Sequence, residues 1–189
     1  VALISEQLGR LSVQQEDTGP LRLRRLNRIR TIQGSLAIEG NTLTLEQITA
    51  VLEGKRVIAP PREILEARNA FEAYDQFPDW RPENEEDMLT AHRVLMKNLI
   101  DDAGKFRKGD IGVLSGEKVI HIGPQFDRVP MLVRHLLQWL SQTDAHPLIS
   151  SSVFHYEFEF IHPFTDGNGR MGRLWQTLIL YQWNRLFAH

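Results

Sequence analysis

The chain has 189 residues, of which 42% are hydrophobic and 24% are charged, a composition that suits one globular domain and argues against a disordered chain. The net charge of −2 excludes a global positive field for nucleic acid or anionic membranes, and the absence of cysteine excludes disulfides and thiolate metal sites. The apolar stretches are too short to span a membrane, so we expect a cytoplasmic protein.

Most of the chain has the periodicity of helices. A weak first helix precedes a breaker at 18–20, and a second helix covers about 21–41 and stops at Gly40-Asn41. Thr44 and Gln47 have the spacing of a capping box, which predicts the start of a short helix that stops at Gly54. Further helices are predicted at 60–77, 83–100, 130–142, 147–161 and 170–186.

The pattern changes after Gly104, where glycine and β-branched residues become frequent. The side chains of Val119–Ile122 alternate as in a strand, and Ser115-Gly116 is suited to a turn. Together these patterns predict two short strands. The expected fold is therefore all-α, a helical bundle with one inserted β-hairpin at about 111–123. We expect 1–60 to form an N-terminal helical region and 61–189 to form the core domain.

The stretch "HPFTDGNGRMGR" at 162–173 combines a histidine, an acid, two glycines and two arginines directly before an apolar helix. A helix N-terminus presents unpaired N–H groups to an anion, and glycines let a phosphate approach them closely. Arg170 and Arg173 are three residues apart, so we expect them to share a face and to bind the same anion.

Two further side chains of this stretch predict chemistry as well as binding. Asp166 is an oxygen ligand of the type that holds Mg²⁺ carried by a polyphosphate. His162 is the neighbouring side chain suited to act as a general base at neutral pH. This combination predicts transfer of a phosphorus-containing group to a hydroxyl.

The same stretch resembles the signature of the Fic family, H-x-F-x-D/E-G-N-G-R-x-x-R, with every specified position filled. The matching residues are His162, Phe164, Asp166, Gly167, Asn168, Gly169, Arg170 and Arg173. The resemblance extends more loosely from about Glu83 to the end of the chain, and it implies the Fic-type bundle with the hairpin as a flap.

The resemblance also implies an activity. A Fic protein of this kind is a nucleotidyltransferase that uses ATP and Mg²⁺ to join AMP to a Tyr, Thr or Ser hydroxyl of a target protein or of itself. It implies His162 as the base, Asp166 as the metal ligand and Phe164 as a buried anchor. The implied nucleotide-binding residues are Gly167, Asn168, Gly169, Arg170 and Arg173. The target would dock along the flap by strand addition.

A second motif, "SLAIEGN" at 35–41, is similar to the inhibitory motif S/T-x-x-x-E-G/N of the same family. It implies that Glu39 binds Arg173 as a bidentate ion pair in the space of the ATP γ-phosphate, with Ser35 tethering the helix. The protein would then be autoinhibited by Glu39.

Other interpretations stay open. One is a Fic-type enzyme with another phosphate-containing donor or with AMP-removing activity, and another is a non-catalytic nucleotide-binding regulatory module. The arginines of 22–30 alternate with core-type leucines, which favours a solvated face over a nucleic-acid site. A homo-oligomer is compatible with the sequence.

Overall fold

The computed structural model describes residues 1–15, 21–115 and 118–188. In these ranges the protein is a helical bundle, which confirms the predicted class. The helices are α1 (Ala2–Gln15), α2 (Leu21–Ile38), α3 (Leu45–Leu52), α4 (Pro61–Gln76), α5 (Glu85–Leu95), α6 (Val129–Gln142), α7 (Pro147–Ile161) and α8 (Asn168–Trp183). Three 3-10 turns lie at Phe77–Asp79, Phe126–Arg128 and Arg185–Ala188. The predicted breaker at 18–20 lies outside the described residues.

Two short strands interrupt the helices between α5 and α6. Strand β1 (Gly112–Ser115) pairs antiparallel with β2 (Lys118–Ile122), and the register shifts between Val113 and Leu114. The predicted turn includes Gly116, which lies outside the described residues. The use of this segment as a flap for a target stays a prediction.

Local sequence signals set several helix ends. Thr44 and Gln47 form the predicted capping box at the start of α3, since each side chain bonds the other residue's backbone N–H. Asn84 caps α5 by accepting from the Asp87 N–H at 2.9 Å. The prediction that this helix reaches residue 100 is wrong. It ends at Leu95, and Asn98 follows with a left-handed φ of 58°.

The buried apolar side chains form one core around α7 and α8, and α2 contributes Ile29, Ile32 and Leu36 to it. The largest fully buried side chains include Phe77, Phe154, Phe158, Phe164 and Trp175. Packing fixes the position of α2 against the rest of the bundle, which determines where its C-terminal end points. Among the described helices, none is long and apolar enough to cross a membrane. The division of the chain at residue 60 stays a prediction.

Candidate active site

The C-terminal end of α2 carries the acid of the second motif. The helix ends at Ile38, not at residue 41 as predicted, and Gly40 adopts a left-handed φ of 87°. The N–H of Gly40 donates to the Ala37 carbonyl, and the N–H of Asn41 donates to the Leu36 carbonyl. These are the two bonds of a Schellman cap, which a glycine permits because it has no Cβ. Glu39 therefore lies in the cap, where its side chain turns toward α8.

The end of α7 places the predicted base. The helix stops at Ile161, and His162 has a left-handed conformation with φ 50° and ψ 64°. Pro163 follows, and a proline disfavours the helical conformation of the residue before it. A left-handed histidine is strained, so the surroundings must hold it in place. The contact that does so is a hydrogen bond of 2.8 Å from Arg107 Nε to the His162 carbonyl.

Arg107 is a buried cation that braces the loop through carbonyl oxygens. Its guanidinium also donates to Gly109 at 2.8 Å and to Pro124 at 2.5 Å, on either side of the strand pair. Its main-chain N–H donates to the Pro163 carbonyl at 2.9 Å. Burial lowers the pKa of Arg107, partly offset by Asp110. One side chain thus holds the residues on both sides of the strand pair and the end of α7.

A second clamp acts on the other side of the loop. The His92 ring stacks on Phe164 with centroids 3.7 Å apart, and both side chains are fully buried. Its Nδ1 accepts from the Gly104 N–H at 2.8 Å, so Nε2 carries the proton and donates to the Asp166 carbonyl at 3.0 Å. Phe164 is therefore the buried anchor that the sequence predicts, and His92 holds it.

This clamp requires a neutral His92, which gives a testable pH dependence. Burial is the main cause that lowers the pKa of His92 from 6.5 to about 4. Between these values the unfolded chain binds a proton that the folded protein excludes, so stability is fully present above pH 6.5 and falls as the pH drops toward 4. The displacement corresponds to about 3 kcal/mol of unfolding free energy.

We expect His92→Gln to be less stable than wild type at pH 7 but to lose less stability on acidification. Urea unfolding of both proteins at pH 7, 6, 5 and 4.5 measures this difference, and the carboxylates common to both cancel. Parallel curves for the two proteins would show that His92 takes up its proton without unfolding.

The first turn of α8 has the geometry of an anion site. Gly167 is its N-cap with φ 85°, and a Cβ there would collide with the Met96 side chain. The N–H groups of residues 168–170 belong to the first turn, where a helix offers them no internal acceptor. The Asn168 side chain is buried and bonds the Phe164 N–H and carbonyl, at 2.9 and 2.8 Å. Asn168 can therefore offer an anion only its backbone.

The carboxylate of Glu39 lies at the first turn of α8. Arg173 Nη2 donates to Glu39 Oε1 at 2.7 Å, and the same oxygen lies against Gly169, where any Cβ would overlap it. Ser35 accepts from Arg173 Nε through its hydroxyl at 2.9 Å and from Nη2 through its carbonyl at 3.0 Å. The expected bidentate pair is wrong, because Arg173 bonds Glu39 through Nη2 alone while its Nε bonds Ser35.

Arg170 and Arg173 bind different partners in this structure, and their shared binding of an anion stays a prediction. The Arg170 guanidinium contacts Asp166 Oδ1 at 3.1 Å and Glu66 Oε1 at 3.5 Å, and its side chain is 6% exposed. Arg62 contacts both acids from the surface at 3.3 Å. The second oxygen of Glu66 accepts from Asn41 at 3.0 Å, which connects this ion network to the segment after Glu39.

The predicted metal ligand is suited to an ion that arrives with phosphates. The Asp166 side chain is 41% exposed, and its Oδ1 also accepts from the Gly167 N–H at 2.6 Å. No group of three His, Asp or Glu side chains is placed to hold a metal within 1–15, 21–115 and 118–188. A single exposed carboxylate beside an anion site fits Mg²⁺, which keeps waters and phosphate oxygens as its other ligands.

The structure therefore brings the two predicted motifs together at the N-terminus of α8. Four side chains of the site are not predicted by the sequence: Arg62, Glu66, His92 and Arg107. None of them belongs to either motif, and each contacts the 162–173 segment across 55 or more residues of the chain. The spacing of residues along the chain contains no signal for such contacts.

The fold is a helical bundle. Its site combines the N-terminus of α8, which has the geometry of an anion site, with His162 on the preceding loop and the carboxylate of Glu39 from the end of α2. The model of the Fic/DOC family matches residues 82–180, and the chain belongs to this family. A crystal structure of a Fic family protein from Desulfovibrio desulfuricans is 57% identical, with a TM-score of 0.93, over 99% of this chain and 57% of the other.

Two curated relatives are named for an enzymatic activity. The protein adenylyltransferase Fic of Nematostella vectensis is 31% identical over 79% of this chain and 36% of its own length. The protein adenylyltransferase fic-1 of Caenorhabditis elegans is 30% identical over 88% of this chain and 34% of its own length. A structure of C. elegans Fic-1 is 26% identical, with a TM-score of 0.77, over 94% of this chain and 56% of the other. The chain thus spans about a third of the length of these curated relatives.

Proposed function

We propose that this protein is a protein adenylyltransferase that transfers AMP from ATP to a hydroxyl side chain of a target protein or of itself. The observation that carries the proposal is the carboxylate of Glu39 against Gly169 and Arg173, because it supports an anion site at the first turn of α8. The names of the relatives support the same reaction.

In the proposed reaction the target hydroxyl oxygen attacks the α-phosphorus of ATP. The bond from that phosphorus to the bridging oxygen of the β-phosphate breaks, and pyrophosphate leaves. His162 Nε2 takes the proton of the hydroxyl, while the first-turn N–H groups of α8 and Arg173 hold phosphate oxygens. His162 lies in the left-handed turn after α7, and Arg107 and His92 keep the loop that follows in place.

The proposal is tested by incubating the Glu39→Gly variant with ATP labelled at the α-phosphate and with ATP labelled at the γ-phosphate. Transfer of AMP labels protein only from the α-labelled nucleotide, whereas a kinase labels it only from the γ-labelled one. Mass spectrometry of the labelled protein then identifies the modified Tyr, Thr or Ser. Binding of ATP without any transfer would favour the regulatory-module interpretation.

Asp166 would hold the Mg²⁺ that accompanies ATP, and this ion would neutralise charge on the phosphates when bound. We expect Asp166→Ala to lose Mg²⁺-dependent ATP binding by at least about tenfold and to lose transfer with it. Calorimetric titration of ATP with Mg²⁺ and with EDTA measures the dependence. Asp144→Ala is a matched control, since Asp144 is exposed between α6 and α7. Equal Mg²⁺ dependence in all three proteins would contradict the role of Asp166.

Glu39 is the proposed brake of this reaction. Its carboxylate takes an Arg173 nitrogen and covers Gly169, so a γ-phosphate cannot use the same space. Ser35 contributes differently, because two of its oxygens orient Arg173 toward the brake. We expect Ser35→Ala to release the brake more weakly than removal of Glu39, since the main-chain carbonyl bond and the ion pair persist.

The strand pair is the proposed docking site for a target. Strands β1 and β2 form a two-stranded sheet, so each has a free edge to which an extended peptide can add. Arg107 connects both ends of this segment to the carbonyl of His162, which would keep a bound peptide in register with the base.

A further inference from the structure

Glu159 is a titratable side chain next to His162 that the proposed reaction does not use. It lies in the last turn of α7, three residues before the histidine. Its main-chain carbonyl is 3.3 Å from His162 Nδ1, and its Oε2 is 4.0 Å from the same nitrogen. A carbonyl oxygen can only accept, so Nδ1 carries a proton and Nε2 is the basic nitrogen of this tautomer.

The other carboxylate oxygen points into the interface of α7 and α8. Glu159 Oε1 is buried and receives no hydrogen bond from the described part of the chain. It lies against Gly172, where a Cβ would overlap it and would come within 2.9 Å of His155 Nδ1. A glycine on α8 thus makes the room that keeps this carboxylate close to His162. Such a buried, incompletely bonded acid is costly, which points to a role other than stability.

Four charged or titratable groups, one on α7 itself and three on neighbouring elements, face Glu159. Burial is the largest cause that raises its pKa, and Glu39 raises it as well. His155 on α7 and Arg173 on α8 lower the pKa and favour the ionised form. His162 is the fourth group, in the loop after α7. Glu159 therefore belongs to the same charge cluster as the proposed brake.

We propose that Glu159 is a positioning residue that fixes the Nδ1–H tautomer of His162 and stabilises the imidazolium formed when Nε2 takes a proton. The inference rests on the proposed role of His162 as the base. The main-chain carbonyl orients the ring, and the carboxylate adds negative charge at 4.0 Å from the cation that forms. An acid that orients a histidine and stabilises its cation without taking the proton is a recurring arrangement in hydroxyl activation.

The experiment measures His162 directly and does not need activity. The ring signals of His162 are followed by NMR from pH 5 to pH 9 in wild type, Glu159→Gln and Glu159→Asp, with His162→Gln used to assign them. We expect Glu159→Gln to move the titration midpoint of His162 to lower pH by about half a unit to one unit, since part of the charge effect is screened by solvent. Glu159→Asp should move it less. Glu157→Gln is the matched control, because it removes an exposed charge from the same helix.

A second measurement separates this inference from the proposed function. In the Glu39→Gly background we expect Glu159→Gln to lower kcat for AMP transfer about three- to tenfold, to shift the acid limb of the pH profile in the direction seen by NMR, and to leave the KM for ATP within about twofold. An unchanged NMR midpoint in Glu159→Gln would overturn the inference even if transfer is observed. A protein without any transfer would refute the proposed function, while the NMR result would still decide the role of Glu159.

Discussion

His162→Ala, made in the Glu39→Gly background, is expected to reduce AMP transfer by about 10²- to 10⁴-fold while ATP affinity changes little. The reason is that the base acts on the incoming hydroxyl, whereas the phosphates are bound by α8 and Arg173. The fold should survive, because the bond from Arg107 that holds the loop is accepted by the main chain of His162. The Arg107 bond to the His162 carbonyl is retained in the alanine variant.

The measurement is the rate of label transfer from α-labelled ATP, together with calorimetric ATP binding, for both variants. His135→Ala is the matched control, since His135 is exposed on α6 and belongs to no part of the site. A left-handed alanine at 162 is strained, so His162→Asn is a useful second variant that tolerates this conformation. Transfer at the parent rate in both variants would assign the base to another group.

Glu39→Gly is expected to raise self-labelling about ten- to hundredfold over wild type. The variant removes the carboxylate that lies on Gly169 and binds Arg173, so the γ-phosphate of ATP can take its place. A charge-assisted hydrogen bond of this kind contributes about 1.5–3 kcal/mol, which corresponds to that range of rates. Glu39→Gln should give a smaller increase, because the amide keeps the volume of the side chain while it loses the charge.

The nucleotide dependence identifies the cause of the activation. ATP affinity should increase in Glu39→Gly more than ADP affinity, since ADP has no γ-phosphate to compete with the carboxylate. The double variant Glu39→Gly/Arg173→Ala should lose the gain, because the released arginine is then absent. If Glu39→Gly labels itself no faster than wild type, the ion pair with Arg173 is only a structural contact between α2 and α8.

The sequence predicted much of the site because its motifs are local. In 162–173 a histidine before a proline ends one helix, and Gly167 begins the next. The capping box at Thr44 and the glycine stop at Gly40 are equally local, because each depends on backbone geometry within one helical turn. Such signals predict where helices begin and end.

The sequence was least informative where several partners were available to one side chain. Spacing alone predicted that Arg170 and Arg173 point to one anion, but Glu66 and Asp166 bind the first and Ser35 and Glu39 bind the second. The same competition leaves Glu39 with one arginine nitrogen instead of two. Which partner a guanidinium takes depends on how α2 and α4 pack against α8, and the sequence of α8 contains no information on that packing.

By itself the sequence determined the helical class and the break between two helices at the loop in 162–173, because periodicity and the order of residue types are properties of short segments. Only the tertiary structure decided that Glu39 lies on Arg173, 134 residues away, and that His92 and Arg107 hold the loop. Contacts between segments so distant in the chain form when helices bury a common core, and the core fixes them only once all of its layers are packed.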